Sequence, residues 1–205
     1  DPDFNEAITM AETYAEDAAD IDGTTENVAL YMASFAEGAE ILELGADKEW
    51  LGQVRWYGAS AFAENKALIE NYTALQFAHD RGGVPCPIFA LEESAINQWQ
   101  PVVDAVENAT GRKADAYSVC AYDAMWLVAN TWLALNLPAE FSDIRSQFIQ
   151  EASEYNGATG ATDLNEAGDR AEGNYDFWSI KQNGELHWAK SAHYDSRNGK
   201  ITRYL

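Results

Sequence analysis

Residues 58–62 (GASAF) form the part of this sequence with the strongest resemblance to a catalytic motif. They follow an apolar, strand-like run and lead into a helical region, which is where an α/β hydrolase holds its nucleophilic serine. That turn is crowded and requires a second glycine two residues after the serine, whereas Phe62 stands there. A serine hydrolase with His187 or His193 as its base is therefore the least favoured interpretation. We expect no catalytic residue and interpret Ser60 as a structural or ligand-contacting residue.

Two further patterns resemble metal sites but lack necessary ligands. Residues 163–174 begin like a calcium loop, yet Asn174 replaces the bidentate glutamate that the twelfth position requires. His187 and His193 are six residues apart, with no cysteine and no His-Glu-x-x-His pattern nearby. We expect a solvated turn, surface histidines, and neither a metal nor a cofactor.

Small polar and aromatic residues are predicted to lie at the carboxyl ends of two strands. In open α/β sheets, ligands bind in the crevice beyond those ends, and a few polar groups among aromatic walls are typical of a small-molecule pocket. The alternative is that the two phenylalanines belong to the hydrophobic core. The candidate ligand-binding residues are Ser34 and Phe35 after the first strand, and Gly58, Ala59, Ser60 and Phe62 after the second.

Alternating helices and strands must position these residues. The N-terminal helix has an apolar stripe from Phe4 onward, with Asp1 as its predicted N-cap and Pro2 at its first position. A second helix containing Ile41 is predicted to stop at Gly45. Pro85 lacks a ladder donor, as does Pro87, so the run that contains both belongs at a sheet edge. The remaining predictions here are a buried strand at 28–34, a strand at 53–58, a helix at 66–80 and an apolar edge run at 84–90.

The second half of the chain is predicted to contain three helices followed by hairpins. A helix around residues 99–106 ends at Gly111, and a helix follows Ser142 as its N-cap. Between them, residues 117–136 are apolar almost all round, which predicts a helix buried between layers. Asn183-Gly184 and Asn198-Gly199 are hairpin turn signals. We therefore predict an α/β fold: a three-layer, Rossmann-like parallel sheet with helices on both faces and a C-terminal antiparallel hairpin.

Composition excludes several classes of partner. With Lys+Arg 13 and Asp+Glu 34, the formal net charge is −21, which argues against nucleic-acid binding and against docking on anionic lipid. An aromatic content of 12% argues against a disordered acidic chain.

Residues 1–3 show no signal-peptide pattern, so we expect either that a leader has been removed or that the chain starts inside a longer protein. For Cys86 and Cys120 we expect unpaired thiols, with a single disulfide as the alternative.

Several segments, in this order, resemble the type I periplasmic binding proteins, and among them the branched-chain amino-acid receptors of ABC transporters. The segments are Asp3-Phe4 with its helix, the strand at 28–34, the strand ending Trp56-Tyr57-Gly58, residues 117–124 (YSVCAYDA), 157–160 (GATG), 168–170 (GDR) and 175–178 (YDFW). The resemblance covers most of the chain. It implies the C-terminal part of a two-lobed receptor that closes over a small molecule and delivers it to an ABC permease.

The resemblance also implies a domain division and residue roles. Residues 1–115 with 171–205 would form the second lobe, and 116–170 a remnant of the first lobe, whose helices either pack on the remaining lobe or are completed by a partner chain. The strand-end aromatic falls near Ser34 or Phe35, and the specificity position falls near Val119. The acidic residue that holds an α-amino group falls at Ser60, which puts an amino-acid ligand in doubt because a hydroxyl supplies no counter-charge. Glu92 and Glu93 lie one strand further on and are not assigned to the pocket.

We accordingly expect an extracellular or periplasmic solute-binding protein, anchored at the cell surface, whose membrane contact runs through the permease or an anchor outside this chain. A ligand-sensing ectodomain of a membrane receptor is the alternative from a different class.

Overall fold

The computed structural model describes residues 3–135 and 138–204, and these combine helices with short strands. The α/β class, with a parallel sheet, helices and added antiparallel strands, is confirmed. The helices are α1 (Asn5–Asp22), α2 (Gly38–Ala46), α3 (Lys66–Glu70), α4 (Tyr72–Asp80), α5 (Ile96–Thr110), α6 (Ala116–Ala134) and α7 (Phe141–Glu154). The strands are β1 (Ala29–Met32), β2 (Arg55–Gly58), β3 (Cys86–Phe89), β4 (Asn156–Gly157), β5 (Gly160–Ala161), β6 (Tyr175–Asn183), β7 (Glu185–Asp195) and β8 (Lys200–Arg203).

The chain forms two compact units. Unit 1 contains Asp1–Ile88, Asp176–His193 and Ile201–Leu205, and unit 2 contains Phe89–Tyr175 and Tyr194–Lys200. Helix α5 lies in unit 2, although the predicted domain division groups it with the preceding elements. The assignment of residues 116–170 to a first-lobe remnant stays a prediction.

Strands β1 and β2 of unit 1 pair in parallel, from Ala29 beside Arg55 to Met32 beside Gly58. The prediction of a fully buried first strand is wrong, because in β1 only Met32 is buried. Successive side chains of a strand point to opposite faces, and one face of this pair packs against the core that contains Leu42 and Trp56.

The larger sheet has the strand order β3-β6-β7-β8, which confirms the proline-containing run as an edge strand. Both predicted hairpin turns are confirmed. Gly184, with φ 80°, links β6 to β7, and Gly199, with φ 65°, precedes β8. These positive φ values explain the glycine of each Asn-Gly pair, because L side chains are disfavoured there.

Two helix boundaries in unit 1 differ from prediction. Gly45 does not end α2 but lies inside it, and a Cβ there would sit 3.1 Å from the Trp56 ring, so its glycine permits close helix–strand packing. The predicted helix at 66–80 is interrupted at Asn71, whose side chain caps α4 by accepting from the Ala74 N–H at 3.1 Å. The predicted cap at Asp1 and Pro2 lies outside the described residues.

Helices α5 to α7 belong to unit 2. Gly111, with φ 67°, ends α5 as predicted. The prediction that the next helix is buried between layers is wrong: α6 buries a narrow stripe, and Trp132 is 62% exposed. This helix ends at Ala134, and the predicted end at Asn136 lies outside the described residues. The N-cap of α7 is Glu140, not Ser142.

Within the described ranges, no helix is both long enough and apolar enough to cross a membrane.

Candidate functional site

The carboxyl ends of β1 and β2 lie side by side in unit 1. Their register places Met32 beside Gly58, and the Ala59 N–H donates to the Met32 carbonyl at 2.9 Å. The segments that follow the two strands therefore start from neighbouring positions at one edge of the sheet. The candidate residues 34–35 and 58–62 follow these two strand ends.

Ser34 is buried, and its Oγ has no hydrogen-bond partner within the described part of the chain. A buried hydroxyl without a partner carries an unfavourable desolvation cost. The next residue, Phe35, is 69% exposed, so its ring is not part of the core. This pair combines an unsatisfied polar atom with an open aromatic surface, which are the elements of a ligand-contacting edge.

The backbone of Phe35 is held on both sides. Its N–H donates to Glu37 Oε1 at 2.9 Å, and its carbonyl accepts from Asn65 Nδ2 at 3.1 Å. The bond from the Phe35 N–H is the main cause that lowers the pKa of the exposed Glu37 carboxyl. A fixed loop and an ionised carboxylate thus lie beside the exposed ring.

Gly58 and Phe62 support this edge from within the core. A Cβ on Gly58 would lie 2.4 Å from Cys86 Sγ, so this position admits no side chain without rearrangement. Phe62 is fully buried and makes an edge-to-face contact with Trp188, with ring centroids 6.0 Å apart. Phe62 would contact a ligand only if its side chain became exposed.

Ala59 and Ser60 are half-buried, and Ser60 begins a short 3₁₀ turn that ends at Phe62. The two histidines that could in principle serve as bases lie in the hairpin strand β7. His193 Nδ1 is 2.8 Å from Asp176 Oδ1, and His187 Nδ1 is 3.0 Å from the Glu185 carbonyl oxygen.

Val119 lies in the other unit. It is fully buried on α6 in a core with Val102, Val103 and Ala158. As with Phe62, a ligand would reach Val119 only after a rearrangement.

A second candidate site lies in unit 2 around the turn at 157–160. Asp123 on α6 accepts from the Ala158 N–H at 2.8 Å, from the Thr159 N–H at 2.7 Å and from the Thr159 hydroxyl. Gly157 is required there, since a Cβ would lie 2.3 Å from Asp123 Oδ1. Asp123 therefore fixes the turn to the buried side of its helix.

Arg170 holds the other side of this turn. Its Nη1 donates to Thr159 Oγ1 at 2.8 Å, its Nε donates to the Ala161 carbonyl at 2.9 Å, and its guanidinium lies 4.7 Å from the centre of the Phe89 ring. Burial is the main cause that lowers the pKa of Arg170. The Thr159 hydroxyl thus connects a buried carboxylate to a guanidinium.

Beside this turn is a cavity of about 350 Å³ whose lining residues all belong to unit 2. It is bounded by the end of β3, the start of α5, residues 158–161 and residues 172–174, and by Glu92, Arg170 and Arg197. Glu92, which the sequence did not assign to the pocket, accepts from Asn174 Nδ2 at 2.7 Å at the cavity wall. The volume of this cavity is within the range of small-molecule pockets.

The loop at 163–174 is a turn closed by its own polar groups. Asn165 Oδ1 accepts from the N–H groups of Ala167 and Asp169, each at 3.0 Å, and Gly168 has φ 86°. No group of three or more potential metal ligands occurs in the regions that the structure describes. Both cysteines are free thiols.

No protein-family model and no curated protein sequence matches this chain. Among solved structures, a leucine-binding protein from Thermotoga maritima matches with a TM-score of 0.56 and 15% identity, over 97% of this chain and 50% of that one. An ABC transporter substrate-binding protein from Desulfitobacterium hafniense matches with a TM-score of 0.56 and 15% identity, over 89% of this chain and 48% of that one. An ABC transporter substrate-binding protein from the same organism, in complex with Leu, matches with a TM-score of 0.52 and 17% identity, over 89% and 48% of the two chains.

The chain has the fold of a type I periplasmic binding protein. It spans about half the length of the solved proteins that it matches, corresponding to their C-terminal portion. The predicted fold resemblance is therefore confirmed, although identities of 15–17% extend it to the fold alone.

Within this periplasmic-binding fold, the predicted residues fall into two groups. Ser34, Phe35 and Ser60 follow adjacent strand ends in unit 1, whereas Val119 lies in the core of unit 2. Sequence reasoning missed Glu37, and the one signal for it was its position two residues after the strand-end aromatic. It also missed the connection between Asp123 and Arg170, because these residues are far apart in sequence and meet through Thr159.

Proposed function

We propose that this chain is part of an extracytoplasmic solute-binding component of an ABC transporter, which binds a small molecule and delivers it to a permease. The fold similarity to substrate-binding proteins over 97% of this chain is the observation that carries the proposal. In this proposal the chain has no catalytic role. Transport requires binding and release, for which non-covalent contacts are sufficient.

The proposed ligand contacts are at the strand ends of unit 1. The exposed Phe35 ring offers an apolar surface, and the buried Ser34 hydroxyl lacks a partner among the described residues. A ligand polar group that bonds Ser34 would remove the cost of that unsatisfied atom. Gly58, Ala59 and Ser60 supply the adjacent backbone and hydroxyl, while Phe62 and Val119 would act from the core.

Glu37 supplies the negative charge that Ser60 lacks. Its carboxyl is exposed beside Phe35, and its pKa is lowered by the bond from the Phe35 N–H, so it is ionised at neutral pH. An ionised carboxylate is the counter-charge that an α-amino group requires. We therefore propose an amino acid or a related amine as the ligand class, with Glu37 in the role that the resemblance placed at Ser60.

In this proposal the complete receptor closes two lobes over its ligand by a hinge movement. Closure removes the strand-end edge from water, which strengthens the polar contacts to the ligand. A permease then accepts the ligand from the closed receptor. The receptor would act outside the cytoplasm.

The test is a thermal-shift screen of the complete receptor that contains this chain against amino acids, amides, small carboxylates and sugars. A ligand at 100 times its dissociation constant adds about 2.7 kcal/mol of stability. We expect an amino acid or an amine to raise the melting temperature saturably. A panel in which no compound shifts the transition would contradict the proposal.

Two variants locate the site. Replacing Ser34 by Ala removes an unpaired buried hydroxyl, so stability without ligand should be unchanged or higher while the ligand-induced shift decreases. Glu37→Gln should weaken binding of an amine by about tenfold or more, because a charge-assisted bond becomes a neutral one. The matched control is Tyr72→Ala, which removes another exposed aromatic ring of unit 1. Equal binding by all three variants and the wild type would refute this location.

A further inference from the structure

Asn65 bonds four different segments of unit 1. It follows the short turn at Ser60–Phe62 and is the N-cap of α3. Its N–H donates to the Phe62 carbonyl at 3.2 Å, and its carbonyl accepts from Trp188 Nε1 of β7 at 3.0 Å. The turn and the hairpin strand thus fix the backbone of Asn65. Its side chain has an acceptor oxygen and an amide nitrogen that donates, and these two atoms bond the other two segments.

The side-chain oxygen of Asn65 caps α3. Oδ1 accepts from the Ala67 N–H at 2.8 Å and from the Leu68 N–H at 3.4 Å. These N–H groups belong to the first turn, where a helix has no internal acceptor for them. Serine and aspartate cap helices about as well as asparagine does, because the cap requires only an oxygen. Capping therefore explains the oxygen of this side chain and leaves its amide nitrogen unexplained.

The amide nitrogen of Asn65 bonds the segment that follows β1. Nδ2 donates to the Phe35 carbonyl, 30 residues earlier in the chain, at 3.1 Å. The same carbonyl accepts from the Gly38 N–H at 3.2 Å, a bond that is local to the loop before α2. The bond from Asn65 instead joins the segment after β1 to the segment after β2. It therefore fixes the separation of the two strand-end segments that hold the candidate ligand contacts.

The position of the Phe35 ring depends on this bond. Phe35 is 69% exposed, so core packing does not hold its ring, and the ring takes its position from its backbone. Glu37 of the same loop holds the Phe35 N–H, whereas Asn65 holds the carbonyl from a different segment. A side chain that contacts a ligand needs such support, because displacements beyond about 0.5 Å weaken its contacts.

We propose that Asn65 is a positioning residue for ligand binding: its amide nitrogen holds the Phe35 ring at the strand-end edge, separately from the capping of α3 by its oxygen. The inference rests on the proposed solute-binding function. Asn65 does not touch the ligand and acts through the Phe35 carbonyl. Trp188 has a supporting part, since its indole N–H fixes the backbone of Asn65.

Two substitutions of Asn65 separate positioning from capping. Asn65→Ser keeps an oxygen for the cap, but the shorter side chain has no amide nitrogen to reach the Phe35 carbonyl. Asn65→Asp also keeps the cap and lacks the donor, and it adds a negative charge. An effect that both variants share therefore comes from the lost donor and not from a change of charge.

Asn71→Ser is the matched control. Asn71 is also the N-cap of a helix in unit 1, and its Oδ1 accepts from the Ala74 N–H at 3.1 Å. Its Nδ2, however, donates to Glu43 Oε2 at 2.7 Å instead of to the segment after β1. The control therefore removes the same amide group from the same kind of cap without releasing Phe35.

Calorimetric titration of the complete receptor with L-leucine measures the effect on binding. Leucine is an amino acid whose apolar side chain can lie against the Phe35 ring. Both Asn65 variants should raise the dissociation constant about tenfold, and Asn71→Ser should leave it within about twofold of the wild type. In a receptor that already carries Phe35→Ala, Asn65→Ser should have no further effect, because two residues that act through one contact are not additive.

Hydrogen exchange of the ligand-free receptor measures the positioning without any ligand. In both Asn65 variants the amides of residues 35–38 should exchange about tenfold faster than in the wild type. The amides of Ala67 and Leu68 should keep their rates, since the cap is retained. Far-UV circular dichroism and the melting temperature check that each variant is folded.

Three results would overturn this inference while the wild-type receptor still binds leucine, so that the proposed function stands. They are equal leucine affinities of the wild type and both Asn65 variants, a full effect of Asn65→Ser in the Phe35→Ala receptor, and unchanged exchange of residues 35–38. A wild-type receptor that binds no compound of the thermal-shift panel contradicts the proposed function and this inference together.

Discussion

Asp123→Ala tests whether one buried carboxylate holds the turn at 157–160. The substitution leaves the N–H groups of Ala158 and Thr159 without the acceptor that they contact at 2.8 and 2.7 Å, together with the Thr159 hydroxyl. It also removes the negative charge that the Thr159 hydroxyl connects to Arg170. Asp123 is only 2% exposed, so water does not replace these bonds unless the turn moves away from the helix.

The expected magnitude follows from these losses. A hydrogen bond to a charged group contributes about 1.5–3 kcal/mol, and removal of one partner of a buried ionic arrangement costs about 3–5 kcal/mol. Because contributions within one network are not additive, we expect Asp123→Ala to cost about 4 kcal/mol. Asp123→Asn keeps the shape and one acceptor oxygen, so it should cost about half as much.

Urea unfolding at neutral pH, followed by tryptophan fluorescence, measures both variants. With a denaturant slope of about 2 kcal/mol/M, the midpoint should fall by about 2 M for Asp123→Ala and by about 1 M for Asp123→Asn. The control is Asp104→Ala, an exposed aspartate of α5 that accepts one bond from Gln100 at 2.8 Å. This control should change stability by less than about 0.5 kcal/mol. A cost for Asp123→Ala as small as that of the control would refute the reasoning.

The remaining predictions concern one steric contact and two titrating groups. Gly58→Ala should destabilise the protein by about 1–3 kcal/mol, because the added Cβ would lie 2.4 Å from Cys86 Sγ. In a double-mutant cycle measured by urea unfolding, Cys86→Ala should recover part of the stability that Gly58→Ala loses. Additive costs of the two substitutions would contradict the contact. Burial raises the pKa of the Cys86 thiol to about 12, whereas Cys120 is only half-buried. A thiol reagent at pH 8 should therefore label Cys120 first and Cys86 only on unfolding. Equal labelling rates of the two thiols would contradict this prediction. Burial, and next the charge of Asp123, raises the pKa of Tyr155 to about 12. The folded state therefore holds this phenolic proton more strongly than the unfolded state. The resulting contribution to the free energy of unfolding is present below about pH 10 and is lost as the pH rises towards 12. In alkaline unfolding titrations Tyr155→Phe should flatten the fall of stability with pH, and an unchanged slope would contradict this prediction.

The sequence by itself determined the local features of this protein. Gly111 ends α5, and Gly184 and Gly199 turn the hairpins, because each requires a positive φ that glycine adopts without strain. Pro85 and Pro87 placed β3 at a sheet edge because proline cannot donate to a ladder. The ordered motifs identified the periplasmic-binding fold, since they follow chain order and do not depend on distant contacts.

Only the tertiary structure decided which apolar residues are buried. Phe35 and Phe62 have the same side chain near adjacent strand ends, yet one is exposed and the other is in the core. Hydrophobic periodicity could not show that α6 exposes Trp132, because an apolar helix is covered only where another element reaches it. The connection from Asp123 through Thr159 to Arg170 depends on segments 36 and 11 residues apart, and sequence spacing carries no information about such long-range contacts.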